Sequence, residues 1–413
     1  MAVIVDGGNR ETCQEHLDEL ALLADTAGYA VVGREVQERD RPDAATLLGR
    51  GKVAEIARRV EETGASGLFT DDDLTPRQAA RLEQVVGVPV SDRSGLILEI
   101  FASRARTREA KTQVELASLR YTLPRLTRKW THLSRQVGGI GVRGGVGEAQ
   151  IEIDRRLIRR RIARLQRDLV RITRHRGLRH QARRETFTVA LVGYTNSGKS
   201  TLFNALTGAC VPVENRLFAT LDAVRRRMKG SGDGLVLTDT VGFIRKLPHH
   251  LVASFRSTLS EVGEADLLMQ VVDAADDHHV EKMATTARVL HDLDVGDRRR
   301  LLVFNKMDRM VGPAVRTRLG RQFPEALFVS AARGDGLPAL ARRIAAEQGR
   351  TLVEEDIDIP CRDREAMGLL HRHGRVLQVT SEGNRLRVRV RTSPIGAGRI
   401  RQGLATPGLV SDV

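Results

Sequence analysis

The chain has 413 residues, 41% hydrophobic and 29% charged, a balance that suits a soluble protein with two or three real cores. No apolar run approaches bilayer-spanning length, and "MAVIVDGGNRE" lacks the basic-then-apolar order of a signal peptide. Cys13, Cys210 and Cys361 form neither a metal spacing nor a disulfide framework, so a reducing, cytoplasmic setting is expected.

The net charge of +15 is unevenly spread: Arg104 to Arg184 holds 23 Lys and Arg against 6 Asp and Glu, a net of +17, and the remainder carries −2. A charge run is most often a solvated helix face. An excess this concentrated favours a polyanionic partner, RNA ahead of DNA or an acidic lipid surface.

Residues 1–103 alternate short apolar runs ("AVIV", "AVVG", "GLFT", "VPVSD") with helical patterns such as "CQEHLDELALLADTAG", "KVAEIARRVEETG" and "PRQAARLEQVVG". That alternation predicts a small α/β domain with a parallel sheet. Two long helical patterns occupy 104–184. Leu116, Leu119, Leu123 and Leu126 form one seam, and Ile158, Ile162, Leu165, Leu169 and Ile172 the other, with arginines on the outer faces. Pro124 should kink or break the first helix. A joint of roughly fifteen residues, 134–150, makes an antiparallel hairpin the expected arrangement.

The joint contains "GGIGVRGGVG", which spells G-x-G-x-x-G through Gly139, Gly141 and Gly144. A dinucleotide site needs a strand before these glycines and an acid about 20 residues beyond. Here a helical pattern precedes them and Arg161, Arg164 and Arg167 follow. The glycines instead suit a hairpin tip whose backbone can approach RNA closely, with Arg135 and Arg143 as candidate RNA contacts. Trp130 could stack on a base or pack on the neighbouring helix.

The nucleotide motif lies in 185–351, where "TFTVALVGYTNSGKSTLFNAL" reads strand, loop, helix. Gly193, Tyr194, Thr195, Asn196, Ser197, Gly198, Lys199, Ser200 and Thr201 form a phosphate-binding loop, whose backbone N–H groups cradle phosphates at a helix N-terminus. Lys199 would reach the β and γ phosphates, and Ser200 would ligate Mg²⁺. Downstream, "LTDTVGF" supplies Asp239 for the metal and Gly242 for sensing the γ-phosphate, while Thr220 in "LFATLD" is a candidate switch ligand. "FNKMD" offers Asn305, Lys306 and Asp308, and "SAA" offers Ser330 and Ala331, for a guanine base. A carboxylate at 308 can accept both N1–H and N2–H₂, donors that adenine does not present. Lys199, Thr220 and Gly242 are the expected catalytic groups. Many GTPases carry a water-orienting Gln after D-x-x-G; here Phe243 stands there, so intrinsic hydrolysis should be slow. Asn196 could help ligate a monovalent cation such as K⁺ or stabilise the loop by hydrogen bonding.

His249, His250 and the Asp276–His279 run read as exposed loop residues rather than metal ligands. Residues 352–413 predict a small β-α-β-β module with "SEGN" as a hairpin turn, followed by a tail of about fifteen residues. Arg385, Arg387, Arg389 and Arg391 line one side of its last strand, as a polyanion contact or a solvated face, the latter slightly favoured. The expected fold class is therefore α/β. It comprises an N-terminal α/β domain (1–103), a long antiparallel helical hairpin (104–184), a P-loop GTPase domain with a mostly parallel sheet (185–351), and a C-terminal α+β module (352–413).

On "GRGKVAEI", "DRSGLILEIFASRARTREAKTQVELASLRYTLPRL", "WTHLSRQ", "DRRLIRRRIARL", "GYTNSGKSTLFNALTG", "LFATLD" and "DTVGFIRKLPHHLVASFRSTLSEV", the chain resembles the HflX family of translational GTPases to about residue 390. The resemblance implies GTP and GDP as ligands, Mg²⁺ as cofactor, and the large ribosomal subunit and its RNA as partner. It further implies splitting of stalled ribosomes, a hairpin tip near the peptidyl transferase centre, and hydrolysis stimulated by the ribosome. The tip departs from the family's usual "GIGTRGPGETQLETDRR", reading "GIGVRGGVGEAQIEIDRR", and "TLDAV" and "SAA" replace the common "TLDP" and "SAK". The other readings are a GTP-regulated RNA-binding or assembly factor that does not split ribosomes, and a tRNA-modifying GTPase, disfavoured because no second catalytic motif is present. A monomer without a membrane span is expected; peripheral membrane association stays open.

Overall fold

In the computed structural model, the described residues are 10–39, 41–126, 147–181, 186–214, 216–230, 234–246, 261–310 and 313–405. The chain forms two compact units. The first comprises Met1–Arg174 with Glu214–Asp222 and Ile244–Leu259; the second comprises His175–Val213, Ala223–Phe243 and Ser260–Val413.

In the first unit, α1 (Arg10–Ala27), α2 (Arg50–Thr63), β1 (Leu68–Thr70), α3 (Pro76–Val86), β2 (Val90–Asp92), α4 (Arg93–Arg104) and α5 (Arg108–Thr122) follow in order. β1 and β2 pair in parallel, with Phe69 opposite Ser91. Helix α3 starts where Thr75 and Gln78 form a reciprocal capping box and Pro76 tolerates the missing donor, and it stops at Gly87. Leu48, Ile56, Leu68 and Leu82, all fully buried, form the core between these layers. The sheet is smaller than the sequence suggests. "AVVG", residues 30–33, forms no ladder among the described residues, and Val31 and Val32 are exposed. An apolar run becomes a strand only where a neighbour accepts its backbone hydrogen bonds. "AVIV", residues 2–5, lies outside the described residues.

Part of each expected helical seam meets the other, while Leu123 and Leu126 fall beyond the end of α5. Leu116 and Leu119 of α5 pack on Leu165 of α6 (Gly147–Gln181), with Ile158, Ile162 and Leu169 alongside. Arg161 grips Glu115 with two bonds, at 2.6 and 2.9 Å. Helix α5 ends at Thr122, and a 3₁₀ turn, Leu123–Arg125, carries Pro124. The proline thus breaks the helix by removing a donor and crowding the preceding turn. At 35 residues, α6 is about 52 Å long, and Arg156, Arg160, Arg164, Arg167 and Arg171 on it are exposed. The tip, with Arg135, Arg143 and Trp130, lies outside the described residues.

The second unit holds a six-stranded sheet in the order β4-β5-β3-β6-β7-β8. Its strands are β3 (Thr188–Val192), β4 (Val224–Arg227), β5 (Val236–Asp239), β6 (Leu267–Asp273), β7 (Arg300–Asn305) and β8 (Leu327–Phe328). Only the edge strand β4 runs antiparallel to its neighbour. β3 is buried along its whole length, as a central strand covered on both faces must be. Its side chains pack with Leu202 and Phe203 of α7 (Lys199–Thr207) in one core. Helices α8 (His279–Asp292), α9 (Pro313–Gln322) and α10 (Leu337–Gly349) complete this part.

After it come β9 (Val353–Pro360), α11 (Arg364–His373), β10 (Gly374–Glu382), β11 (Arg385–Thr392) and α12 (Pro394–Ala405). The three strands form an antiparallel sheet in the order β10-β11-β9. The described part of the expected terminal tail, up to residue 405, belongs to a helix over 394–405 that buries Ala397 and Ile400 on one face, and residues 406–413 lie outside the described residues. Across the sheet, Arg389 lies opposite Asp356 and Arg391 opposite Glu354, and each pair is bonded, Arg389 with two contacts of 2.8 and 3.0 Å. Arg387 contacts both Asp358 and Glu382. Arg387, Arg389 and Arg391 thus form a solvent-exposed ladder paired with the acids of β9 and β10, as a solvated sheet face does, while Arg385 donates to the Asp358 backbone carbonyl.

Candidate nucleotide site

The loop between β3 and α7 is shaped by backbone positions that few side chains tolerate. Gly198 caps α7 at φ +86°, and a Cβ there would meet Asn305 Nδ2 at 2.3 Å. The preceding loop is therefore free to present its amides at the helix N-terminus, where phosphate is favoured. Ser197 is buried and its hydroxyl has no hydrogen-bond partner among the described residues. A buried orphan hydroxyl in such a loop fits a polar ligand.

Lys199, the first residue of α7, is buried; its Nζ donates to the Gly193 carbonyl at 3.1 Å and the Tyr194 carbonyl at 2.8 Å. Burial pushes its ammonium down to about 8, against the opposing pull of Asp239 and with help from Lys306. Ser200 Oγ donates to Asp239 Oδ2 at 2.7 Å, because β3 and β5 are parallel neighbours with Leu191 opposite Asp239. A hydroxyl and a carboxylate placed together are hard oxygen donors of the kind Mg²⁺ takes alongside phosphates and water, so the pair fits that cation.

The stretch after Asp239 is stitched to the loop. Thr240 Oγ1 donates to the Leu191 carbonyl at 2.6 Å. Phe243 N–H donates to the Gly193 carbonyl at 3.0 Å, and Thr195 N–H donates to the Phe243 carbonyl at 2.7 Å. A Cβ at Gly242 would sit 2.7 Å from Thr195 Cα and 3.0 Å from Lys199 Nζ, so only glycine allows this approach. The Phe243 side chain is fully buried.

Asn305, Lys306, Asp308, Ser330 and Ala331, the residues expected to meet the base, are joined to one another and to the loop by hydrogen bonds. Asn305 Nδ2 donates to the Ser197 carbonyl at 3.1 Å, and its Oδ1 accepts from Ala331 N–H at 3.0 Å. Lys306 Nζ donates to the Asn196 carbonyl at 2.7 Å. Ser330 Oγ donates to Asp308 Oδ1 at 2.5 Å and, with Arg333 and Arg309 nearby, holds that carboxyl below its usual range. Asp308 is therefore an ionised acceptor, the form that receives guanine N–H donors.

Comparison with known proteins identifies the family. A family model described as GTP-binding GTPase N-terminal matches residues 14–102, the GTP-binding GTPase Middle Region matches 104–183, and a 50S ribosome-binding GTPase model matches 188–306. GTPase HflX of Magnetococcus marinus is 44% identical over 95% of this chain and 91% of its own length. The chain belongs to the HflX family of GTPases. GTPase HflX of Escherichia coli K12 is also 44% identical, over 84% of this chain and 82% of its own. Among solved structures, a GTP-binding protein from Sulfolobus solfataricus in complex with GDP aligns over 84% of this chain and 99% of its own, at 26% identity and a TM-score of 0.43.

The second unit of this HflX-family chain thus brings together Gly193 to Thr201, Asp239, Gly242, Asn305, Lys306, Asp308, Ser330 and Ala331. Thr220 falls in the Glu214–Asp222 segment of the first unit. There Glu214 pairs with Arg104 at 2.6 Å, Asp222 accepts the N–H groups of Arg106 and Thr107, and Phe218 meets Phe101 edge to face. Asp276 accepts the His278 N–H and pairs with Lys282 near the start of α8, so Asp276, His278 and His279 form a half-buried helix start rather than an exposed loop. Sequence reasoning missed two features. One is the backbone bridge at Phe243, for which a side-chain pattern holds no signal. The other is Asp273, an acid at the end of β6 that the pattern "VVDAADD" could have flagged.

Proposed function

We propose that this protein is a Mg²⁺-dependent GTPase whose nucleotide state controls binding to the large ribosomal subunit, with dissociation of stalled ribosomes as the outcome. The observation that carries the reading is the convergence of the phosphate loop, Asp239 with Ser200, and the Asn305–Asp308 and Ser330–Ala331 motifs on one site. Lys199 binds the β and γ phosphates, Gly242 N–H reads the γ-phosphate, and Asp308 selects guanine. Ser200, Asp239 and the switch residue Thr220 hold the metal. When bound, Mg²⁺ neutralises charge on the phosphate oxygens. Asn196 is the candidate ligand for K⁺.

Phe243 offers no group to orient the attacking water, so hydrolysis is slow until a partner completes the site. The exposed arginines of α6, with Arg135 and Arg143, contact ribosomal RNA. Among the described residues no helix is long and apolar enough to cross a membrane, and a cytoplasmic monomer fits the proposed partner. Sucrose-gradient profiles of ribosomes with the protein and a non-hydrolysable GTP analogue test the proposal. It expects free subunits to rise and the protein to comigrate with the large one. Intact ribosomes with the protein bound only to free large subunits would point instead to an assembly factor.

A further inference from the structure

The base side of the site contains a carboxylate that none of the nucleotide motifs includes. Asp273 is the last residue of β6, and the parallel register of β6 and β7 sets it opposite Asn305. The Ala274 N–H donates to the Asn305 carbonyl at 2.8 Å, which fixes the two strand ends against each other where the Asn-Lys-x-Asp turn begins. Lys306 is held at φ +63°, in the left-handed region. Its ammonium lies between two oxygens, the Asn196 carbonyl at 2.7 Å and Asp273 Oδ2 at 2.8 Å. The other carboxylate oxygen, Oδ1, accepts the Ala275 N–H at 3.1 Å.

We infer that Asp273 is a positioning residue for the guanine nucleotide, holding the Lys306 ammonium against the Asn196 carbonyl so that the recognition turn and the phosphate loop are locked together. The division of labour between its oxygens supports this. Oδ1 closes the local turn, a task an amide oxygen performs equally well. Oδ2 meets the ammonium of Lys306, the side chain of the recognition turn that reaches the loop carbonyl at 196. Lys306 has a long, flexible stem, and without a fixed anion its ammonium would sample many rotamers. A half-buried carboxylate restricts it to the bridging pose before nucleotide arrives, which lowers the ordering cost of binding. The effect falls on residence of the nucleotide and not on the γ-phosphate, which Lys306 does not approach through these contacts.

The inference rests on the GTPase reading of the site, and the test separates the two. Dissociation of the fluorescent analogue mant-GDP from the full chain is followed by stopped flow for the wild type, Asp273→Asn, Lys306→Ala and the double variant. Asp273→Asn keeps the Oδ1 turn bond and replaces the Oδ2 acceptor and its charge with an amide NH₂ that cannot accept from Lys306. Its dissociation rate should rise about fivefold, the scale of one partly exposed ion pair. KM for GTP should rise with it while kcat at saturating GTP stays near the wild-type value. Asp273→Glu should recover part of the effect. In the Lys306→Ala background, Asp273→Asn should add nothing, since its partner is gone. An unchanged dissociation rate in Asp273→Asn, or full additivity in the double variant, overturns the inference. Should Asp273→Asn fail to fold, Lys306→Met reads the same bridge from its other end, and wild-type dissociation there overturns it equally. Wild-type protein that does not bind mant-GDP at all would instead remove the site assignment itself.

Discussion

Phe243 donates its backbone N–H to the Gly193 carbonyl at 3.0 Å, so the residue that replaces the usual water-orienting glutamine is tied by its main chain to the start of the phosphate loop. Its ring is fully buried. A glutamine at 243 therefore has to bury its amide where the ring now sits. Phe243→Gln should destabilise the fold by about 1–3 kcal/mol and leave single-turnover GTP hydrolysis no faster. Denaturant unfolding and a rapid-quench assay check the two halves. Accelerated hydrolysis would mean that the side chain can turn outward.

Lys199 gives a pH prediction with a definite sign. Its folded pKa, about 8, lies below the ordinary lysine value of 10.5 because the group is buried. Burying it charged costs stability fully below pH 8, and the cost is relieved as pH rises from 8 towards 10.5. Phosphate binding favours the charged form and should draw a proton onto the lysine. Nucleotide binding at about pH 8.5 should thus take up protons, and affinity should fall as pH climbs above 8. Calorimetry in two buffers of different ionisation enthalpy measures the uptake; Lys199→Ala should abolish both uptake and turnover.

The proposed selection of guanine by Asp308 requires an ionised acceptor at that position. Asp308→Asn presents an amide donor to N1–H and should lower GTP affinity by about 100-fold or more while improving relative binding of xanthosine triphosphate. Competition between the two nucleotides reads this directly. Undiminished GTP preference would move base recognition elsewhere.

A buried ionic cluster sets the stability of the first unit. Arg93 Nη1 meets Asp71 at 2.7 Å, Arg93 and Arg245 both engage Glu19, and Lys246 reaches Asp71 at 2.8 Å and Asp72 at 2.5 Å. Burial alone would lower the Lys246 ammonium, but Asp71 and Asp72 outweigh it and raise its pKa. Arg93 and Asp71 are almost wholly buried, and removing Arg93 takes the buried cation from Asp71 and leaves it the half-exposed Lys246 and, more distantly, Arg245. Arg93→Leu should cost about 3–5 kcal/mol in urea unfolding. A change under about 1 kcal/mol would show that the remaining cations suffice.

The two arginine-rich surfaces should differ in their response to salt. Replacing Arg156, Arg160 and Arg164 on α6 with serine should weaken RNA binding and flatten its salt dependence by about one unit of slope for each phosphate no longer neutralised. The same change at Arg387, Arg389 and Arg391 should leave the slope unaltered, because those cations already face Asp358, Asp356 and Glu354. Filter binding across a salt series separates them.

The strand-loop-helix around Lys199, the packed parts of the α5 and α6 seams, and the order of the motifs from Gly193 to Ala331 were legible in the chain. These are short-range matters, in which a residue's chemistry and its spacing to near neighbours dictate the outcome. The break at Pro124 was legible for the same reason. The tertiary structure alone decided which strands pair. It left residues 30–33 without a ladder among the described residues, made a helix of residues 394–405, and set β9 beside β11 so that Arg387, Arg389 and Arg391 are paired with acids. It likewise put Asp273 opposite Asn305 and Phe243 against Gly193. Each depends on hydrogen bonds and charges between segments far apart in the chain, and no local pattern encodes which distant partner completes them.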